Sequence, residues 1–175
     1  MCCGPCAVYP HQVLSREHEI TGLFYNPNIH PYTEYKKRLD TARDFADKSG
    51  YRLITIDEYN LDDFLRNAAF REGQRCIMCY AERLERAASV AKSGRFDAFT
   101  TTLLVSPFQK HDLIRKIGEE AGKKYGVEFL YKDFREGFKE GVEKSKELGL
   151  YRQPYCGCIY SERDRYMSGR KVGRK

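Results

Sequence analysis

The run from Arg75 to Leu104, RCIMCYAERLERAASVAKSGRFDAFTTTLL, holds a helix, its stop and a strand in one stretch. Tyr80, Leu84, Ala87, Ala88 and Ala91 recur at helical spacing and end at Ser93-Gly94, the pattern of an amphipathic helix closed by glycine. Phe96 to Leu104 reads as a strand that closes at Ser106-Pro107. Cys76 and Cys79 then fall at the helix N-terminus. Exposed N–H groups and the macrodipole favour anionic sulfur there, which predicts thiolates at lower pH than for a free cysteine.

The alternation continues outward from this run. Upstream, Glu19 to Tyr25 reads as a strand ending in the turn Asn26-Pro27-Asn28, and Tyr35, Leu39, Ala42, Phe45 and Ala46 then recur at helical spacing before Gly50. Tyr51 to Ile56 makes another strand, and Asp62 to Phe70 a short helix. Downstream, a helix with Leu113, Ile114, Ile117 and Ala121 precedes a strand from Val127 to Tyr131. Such alternation predicts an α/β fold, a three-layer Rossmann-like or HUP-like parallel sheet with helices on both faces. Ligands in these folds gather at the carboxyl ends of the strands, so Cys2-Cys3, Asn26, Ser106 and Asp133 are expected along one edge. The sequence divides into one catalytic domain over 1–158 and a basic C-terminal tail over 159–175.

The chain has 175 residues, a net charge of +6 and a charged fraction of 32%. That length buries a core without disulfide staples. No secretory signal or membrane-length apolar run is read, so a cytoplasmic protein with reduced thiols is expected. The tail carries Arg163, Arg165, Arg170, Lys171, Arg174 and Lys175 against Glu162 and Asp164. A basic segment beside Tyr160 and Tyr166 suits a phosphate backbone with unpaired bases, or else is a solvated terminus.

Seven cysteines form three groups, Cys2-Cys3-x-x-Cys6, Cys76-x-x-Cys79 and Cys156-x-Cys158. Apolar filler would be scattered along core positions, so the grouping points to metal or redox chemistry. CxxC at a helix start is a two-ligand chelate for zinc or iron–sulfur alike, but one CxxC, an adjacent pair and a CxC are less like a zinc ribbon than like cluster ligation. Adjacent cysteines point to opposite sides of an extended chain and more easily serve different irons. Cys156-Gly157-Cys158 can close a small strained disulfide ring, easily reduced, as a catalytic dithiol must be. The alternatives stay open: Cys6 as a buried filler, and Cys156 with Cys158 as metal ligands that leave Cys2 or Cys3 as the redox thiol. Asp133 reads as a proton donor or as a helix N-cap beside Arg135. His11, His18 and His30 read as surface imidazoles, and His111 as part of a helix start.

Several motifs occur in order: Cys2-Cys3-Gly4-Pro5-Cys6; Phe24 to Pro31 with Glu34-Tyr35 and Arg38; Arg75-Cys76 to Cys79-Tyr80 with Arg83-Leu84; Thr101-Thr102-Leu103 with Ser106-Pro107; Asp133-Phe134-Arg135 with Gly137; and Leu150 to Cys158. Together they resemble the cobalamin-independent epoxyqueuosine reductases of the QueH type over nearly the whole chain. The resemblance implies reductive removal of the epoxide oxygen of epoxyqueuosine at the tRNA wobble position, the last step of queuosine formation. It implies a 4Fe-4S cluster on Cys2, Cys3, Cys76 and Cys79 and a redox-active pair of Cys156 and Cys158. Asp133, Tyr155 and His111 are the candidate acids, with Asp133 preferred. The seventh thiol leaves room for a second, mononuclear metal ion with a carboxylate. The implied partners are a tRNA anticodon stem-loop carrying epoxyqueuosine and an unidentified electron donor, with no membrane. Tyr25, Tyr32, Tyr35, Tyr151 and Tyr155 are candidate stacking platforms. Family members also carry a short apolar strand directly ahead of the double cysteine, near the middle of the sheet, and this chain begins at Met1-Cys2.

Two rival readings compete with this one. A tRNA-thiolation enzyme with a pyrophosphatase-type ATP site would need a Ser-Gly-Gly-x-Asp-Ser phosphate loop, and the chain has none. A zinc-binding RNA module without catalysis leaves the CxC and the spare thiol unexplained.

Overall fold

The computed structural model describes residues 1–167. Seven α-helices and four short strands are seen among them: α1 (Gly4–Leu14), β1 (Thr21–Phe24), α2 (Tyr32–Ser49), β2 (Arg52–Thr55), α3 (Leu61–Ala68), α4 (Arg75–Ser93), β3 (Ala98–Phe99), α5 (His111–Tyr125), β4 (Glu128–Phe129), α6 (Phe138–Glu147) and α7 (Ile159–Met167). No helix among the described residues is long and apolar enough to cross a membrane.

Both strand pairings are parallel, as the alternation predicts, but they form two separate pairs where one sheet was expected. β1 lies beside β2 with Thr21 opposite Arg52 and Phe24 opposite Thr55. β3 lies beside β4 with Ala98 opposite Glu128. A cavity of about 600 Å³ separates the pairs, lined by Thr21 and Leu23 on one side and by Ala98 and Phe99 on the other. At the mouth of the cavity the Met1 amino group donates to the Leu23 carbonyl, and Asn26 Nδ2 donates to the Met1 carbonyl at 2.9 Å.

The expected strand from Phe96 to Leu104 is real only at Ala98–Phe99; Thr102–Val105 is a 3₁₀ turn. The Thr101 hydroxyl accepts from the Leu103 N–H, and such local side-chain bonds compete with a strand ladder. That turn delivers the Thr102 hydroxyl to the Cys2 N–H at 3.3 Å. The loop after β3 therefore meets Cys2.

Helices pack in two groups. On one side α4 lies against α5, and Leu84, Ala88, Ile114, Ile117 and Phe129 share a core. On the other, α1 packs on α2 and α6, while Leu39 and Ala42 of α2 cover Phe24 of β1. The start of α1 lies so close to α2 that a Cβ on Gly4 would stand 2.6 Å from the Thr41 carbonyl oxygen. Glycine at this position therefore fixes where Cys2 and Cys3 enter.

His30 is buried and not a surface imidazole, because the turn after β1 folds it against the ring of Phe64 at 4.6 Å. Burial lowers its pKa to about 4. An unfolded imidazole takes up its proton near 6.5, so below that pH the unfolded chain binds the proton first and stability falls. About 3 kcal/mol should be lost between pH 6.5 and 4. Urea midpoints of wild type and His30→Phe should diverge across that window, and parallel curves would remove His30 as the cause.

Candidate functional site

The N-terminal thiols form one group. Cys2 and Cys3 precede α1, Cys6 lies in its first turn, and their sulfurs all stand within 4.8 Å of one another. Cys6 is therefore a member of the group, not a remote filler. Gln153, from the far end of the chain, ties two of them: Cys3 Sγ donates to its Oε1 at 3.1 Å, and its Nε2 donates to Cys6 Sγ at 3.0 Å. Hydrogen bonds from the Cys3 and Cys6 thiols, helped by the charges of Arg83 and Arg38, draw the Cys2 thiol well below its ordinary pKa. Gln153 stands in a quoted motif, but nothing in its local sequence marks it as a partner of thiols 147 and 150 residues away.

Cys76 and Cys79 occupy the first turn and a half of α4, as predicted. The expected easier ionisation is not met at Cys79, whose pKa is pushed up to about 12 by burial, a larger effect than the helix start. Arg83, one turn further along α4, is buried, and its guanidinium feels Cys79, Cys2 and Cys156 together. A buried cation of this kind requires compensating anions. Thiols of all three sequence-distant cysteine groups thus act electrostatically on Arg83.

The Cys156-Gly157-Cys158 segment is clamped from α2. Buried Arg38 donates through Nη1 to the Cys156 carbonyl at 2.8 Å and through Nη2 to the Tyr155 carbonyl at 2.9 Å. Its Nε meets Glu34 at 2.7 Å, and the Tyr151 hydroxyl donates to the other Glu34 oxygen. The His30 N–H donates to the Gly157 carbonyl at 2.9 Å. At the sulfurs, Gln109 Nε2 donates to exposed Cys156 at 3.4 Å. All seven cysteines are free thiols.

Gly157 has φ of +152°, and a Cβ there would lie 3.2 Å from Ile29 and 3.3 Å from Arg38 Nη1. Gly157→Ala should lift the segment off Arg38, costing about 1–3 kcal/mol of docking. Alkylation of Cys156 and Cys158 should quicken while that of Cys79 stays unchanged; equal rates in both proteins would dismiss the clamp.

The hydrogen bonds of Asp133 go to Arg135 and not to a thiol. Its carboxylate takes the Arg135 N–H and guanidinium, with Nε at 2.9 Å. Those hydrogen bonds lower its pKa to about 2, so it is ionised at neutral pH. Tyr80, read from sequence only as part of an apolar stripe, is better placed: its hydroxyl donates at 2.6 Å to Gln109, which in turn touches Cys156. Burial raises the Tyr80 pKa, which keeps its proton in place.

The tyrosines named as stacking platforms are mostly occupied. Tyr25 and Tyr35 are buried, the Tyr151 hydroxyl is held by Glu34, and the Tyr155 hydroxyl donates to the His30 carbonyl; Tyr32 remains exposed. Of the basic tail, residues 159–167 form α7, which Arg75 meets through Asp164 at 2.9 Å. Arg170, Lys171, Arg174 and Lys175 lie outside the described residues.

Known proteins similar to this chain point to one family. The family model described as "Epoxyqueuosine reductase QueH" matches residues 1–164. A protein of that name from Dehalococcoides mccartyi is 34% identical, with 94% of this chain and 91% of the relative covered. Another from Thermotoga maritima is 35% identical over 100% of this chain and 94% of its own length. A third, from Histophilus somni, is 36% identical over 93% and 70%. With matches of this extent running through all three cysteine groups, the chain belongs to the QueH family of epoxyqueuosine reductases.

Proposed function

We propose that this protein reduces the epoxycyclopentane of epoxyqueuosine in tRNA to the cyclopentene of queuosine, with two electrons and two protons entering and the oxygen leaving as water. The observation that carries the reading is the tie from Gln153, just ahead of the CxC, to Cys3 and Cys6 in a chain of the QueH family.

The thiols suit a sulfur-ligated group. No imidazole or carboxylate belongs to the close set of Cys2, Cys3 and Cys6 among the described residues, and a thiolate-only set favours iron–sulfur over a hard cation. On this reading Cys2, Cys3, Cys76 and Cys79 hold a 4Fe-4S cluster. A bound cluster would relay single electrons and act as a Lewis acid toward the epoxide oxygen. Arg83 offsets the negative charge of the thiolates in a site that excludes water.

Cys156 and Cys158 form the dithiol. Their oxidation to a disulfide releases two electrons and two protons, the balance that the epoxide consumes, and an external electron donor restores them. Tyr80 is assigned the proton transfer to the departing oxygen, in place of Asp133, because it keeps its proton and reaches the dithiol through Gln109. Tyr80→Phe should lower kcat about 100-fold with little change in KM. An unchanged kcat would return the role to another acid. We also infer that the two strand pairs belong to one three-layer arrangement, since helices flank them in two packed groups.

The test is anaerobic incubation of the reduced protein with epoxyqueuosine-containing tRNA, followed by digestion to nucleosides. Queuosine is the expected product, from a protein with visible thiolate-to-iron absorption. Colourless protein with stoichiometric zinc and no product would overturn the reading in favour of a structural RNA-binding module.

A further inference from the structure

Two phenylalanines stand almost wholly in water beside the cysteine site: Phe70 is 99% exposed and Phe108 is 84% exposed. Burial of a phenylalanine is strongly favourable, so rings left this bare on well-hydrogen-bonded loops point to a partner. Neither loop is loosely held. Around Phe70, the Arg71 N–H donates to the Ala68 carbonyl at 2.9 Å, the Gln74 N–H to the Arg71 carbonyl at 2.8 Å, and Arg75 Nη1 to the Glu72 carbonyl at 2.8 Å. Around Phe108, the Ser106 hydroxyl accepts from the Phe108 N–H at 3.3 Å, and the ring edge meets Phe138 at 6.1 Å.

Phe70 is also held at φ of +59°, a left-handed conformation that a residue with a Cβ adopts only at a cost. The fold gains no burial from the ring in return. Both loops lie close to the Cys156-Gly157-Cys158 segment: Gln109, next to Phe108, donates to Cys156 at 3.4 Å, and Arg75, shortly after Phe70, holds Asp164 of α7 at 2.9 Å. Each ring has an exposed cation beside it in sequence, Arg71 next to Phe70 and Lys110 two residues from Phe108.

We propose that Phe70 and Phe108 are paired stacking platforms for unpaired bases flanking the reacting nucleotide, with Arg71 and Lys110 taking the adjoining phosphates. The proposal rests on the reading of an RNA substrate above. An aromatic ring with a neighbouring cation is the chemistry of single-strand recognition: the ring takes any base face, and the cation takes the backbone. A rigid ring with two side-chain torsions also binds at small entropic cost.

The test uses the full chain and an unmodified anticodon stem-loop RNA, read by fluorescence anisotropy across a salt titration. Phe70→Ala and Phe108→Ala should each weaken binding about 5- to 100-fold with the salt slope unchanged. Arg71→Ala and Lys110→Ala should each reduce the slope by about one. Phe70→Tyr should keep wild-type affinity. Phe70→Gly separates binding from folding: its Tm should equal or exceed that of wild type, because glycine accepts the backbone angle, while RNA affinity falls as in the alanine variant. Wild-type affinity in both alanine variants would overturn the platforms. The same variants binding RNA normally but reoxidising a supplied electron donor slowly would overturn them in favour of a protein-docking face. Failure of wild type itself to bind the RNA at low salt would instead sink the RNA-substrate reading.

Discussion

Cys156→Ser, purified anaerobically, is expected to keep the visible absorption of the wild-type protein while queuosine formation falls about 1,000-fold or more. The reason is electron supply. A lone Cys158 can form no intramolecular disulfide, so the two electrons and two protons of each turnover lose their source. The positions of the thiols support the separation of colour from activity. Cys2 and Cys3 are buried with Cys6 in a group below 4.8 Å, whereas Cys156 is exposed and meets Gln109. Cys158→Ser should behave alike. Bleaching of either variant would move the segment into the cluster, and a coloured variant with wild-type turnover would remove the dithiol from the reaction. Visible spectra and nucleoside digests of the same preparation decide among these.

Arg38→Met is expected to be the most damaging single change to stability. The guanidinium has no exposure and holds four groups through three nitrogens and its face: Glu34, the Cys156 and Tyr155 carbonyls, and the Tyr155 ring at 5.4 Å. Methionine fills much of the volume but leaves Glu34 charged and buried and strips two carbonyls of their donor. Breaking a buried pair from one side costs about 3–5 kcal/mol. For a chain of this size that lowers Tm by about 10 °C. Arg38→Met with Glu34→Gln should recover part of the loss, because the uncompensated charge is gone. A thermal melt within 2 °C of wild type, a margin of about 1 kcal/mol, would show that the pair contributes little. The same single variant should expose Cys156 and Cys158 to alkylation, since the clamp on their segment is lost.

Strong local signals were legible in the sequence. Apolar spacing gave α2, α4 and α5 to within a few residues, and Gly50 ends its helix in a left-handed cap as the stop signal implies. The strand at Thr21–Phe24 and its partner at Arg52–Thr55 fall inside the stretches read as strands. Three helices escaped: α1, which carries Pro10 in its interior, and α6 and α7. α6 buries only Gly141 and Ser145, so it presents almost no apolar period to read, and α7 buries nothing fully. Its residues look like solvated tail because contacts that hold it, among them the Arg75 ion pair and the ring contacts of Tyr160 and Tyr166, come from outside the segment.

The amino-acid sequence by itself determined the chemistry on offer: seven thiols in three short groups, one at a helix start, set in motifs that point to a single family. Those facts depend on residues a few positions apart, where backbone geometry alone relates one side chain to the next. Only the tertiary structure decided how the groups combine. It set Cys6 within 4.8 Å of Cys2 and Cys3, buried Arg83 among Cys2, Cys79 and Cys156, and fixed the CxC to Arg38, 118 residues away. It also left Phe70 and Phe108 bare beside the site. The physical reason is range. Which charges are buried together, and which rings stay in water, follows from packing between distant elements, and no local pattern records it.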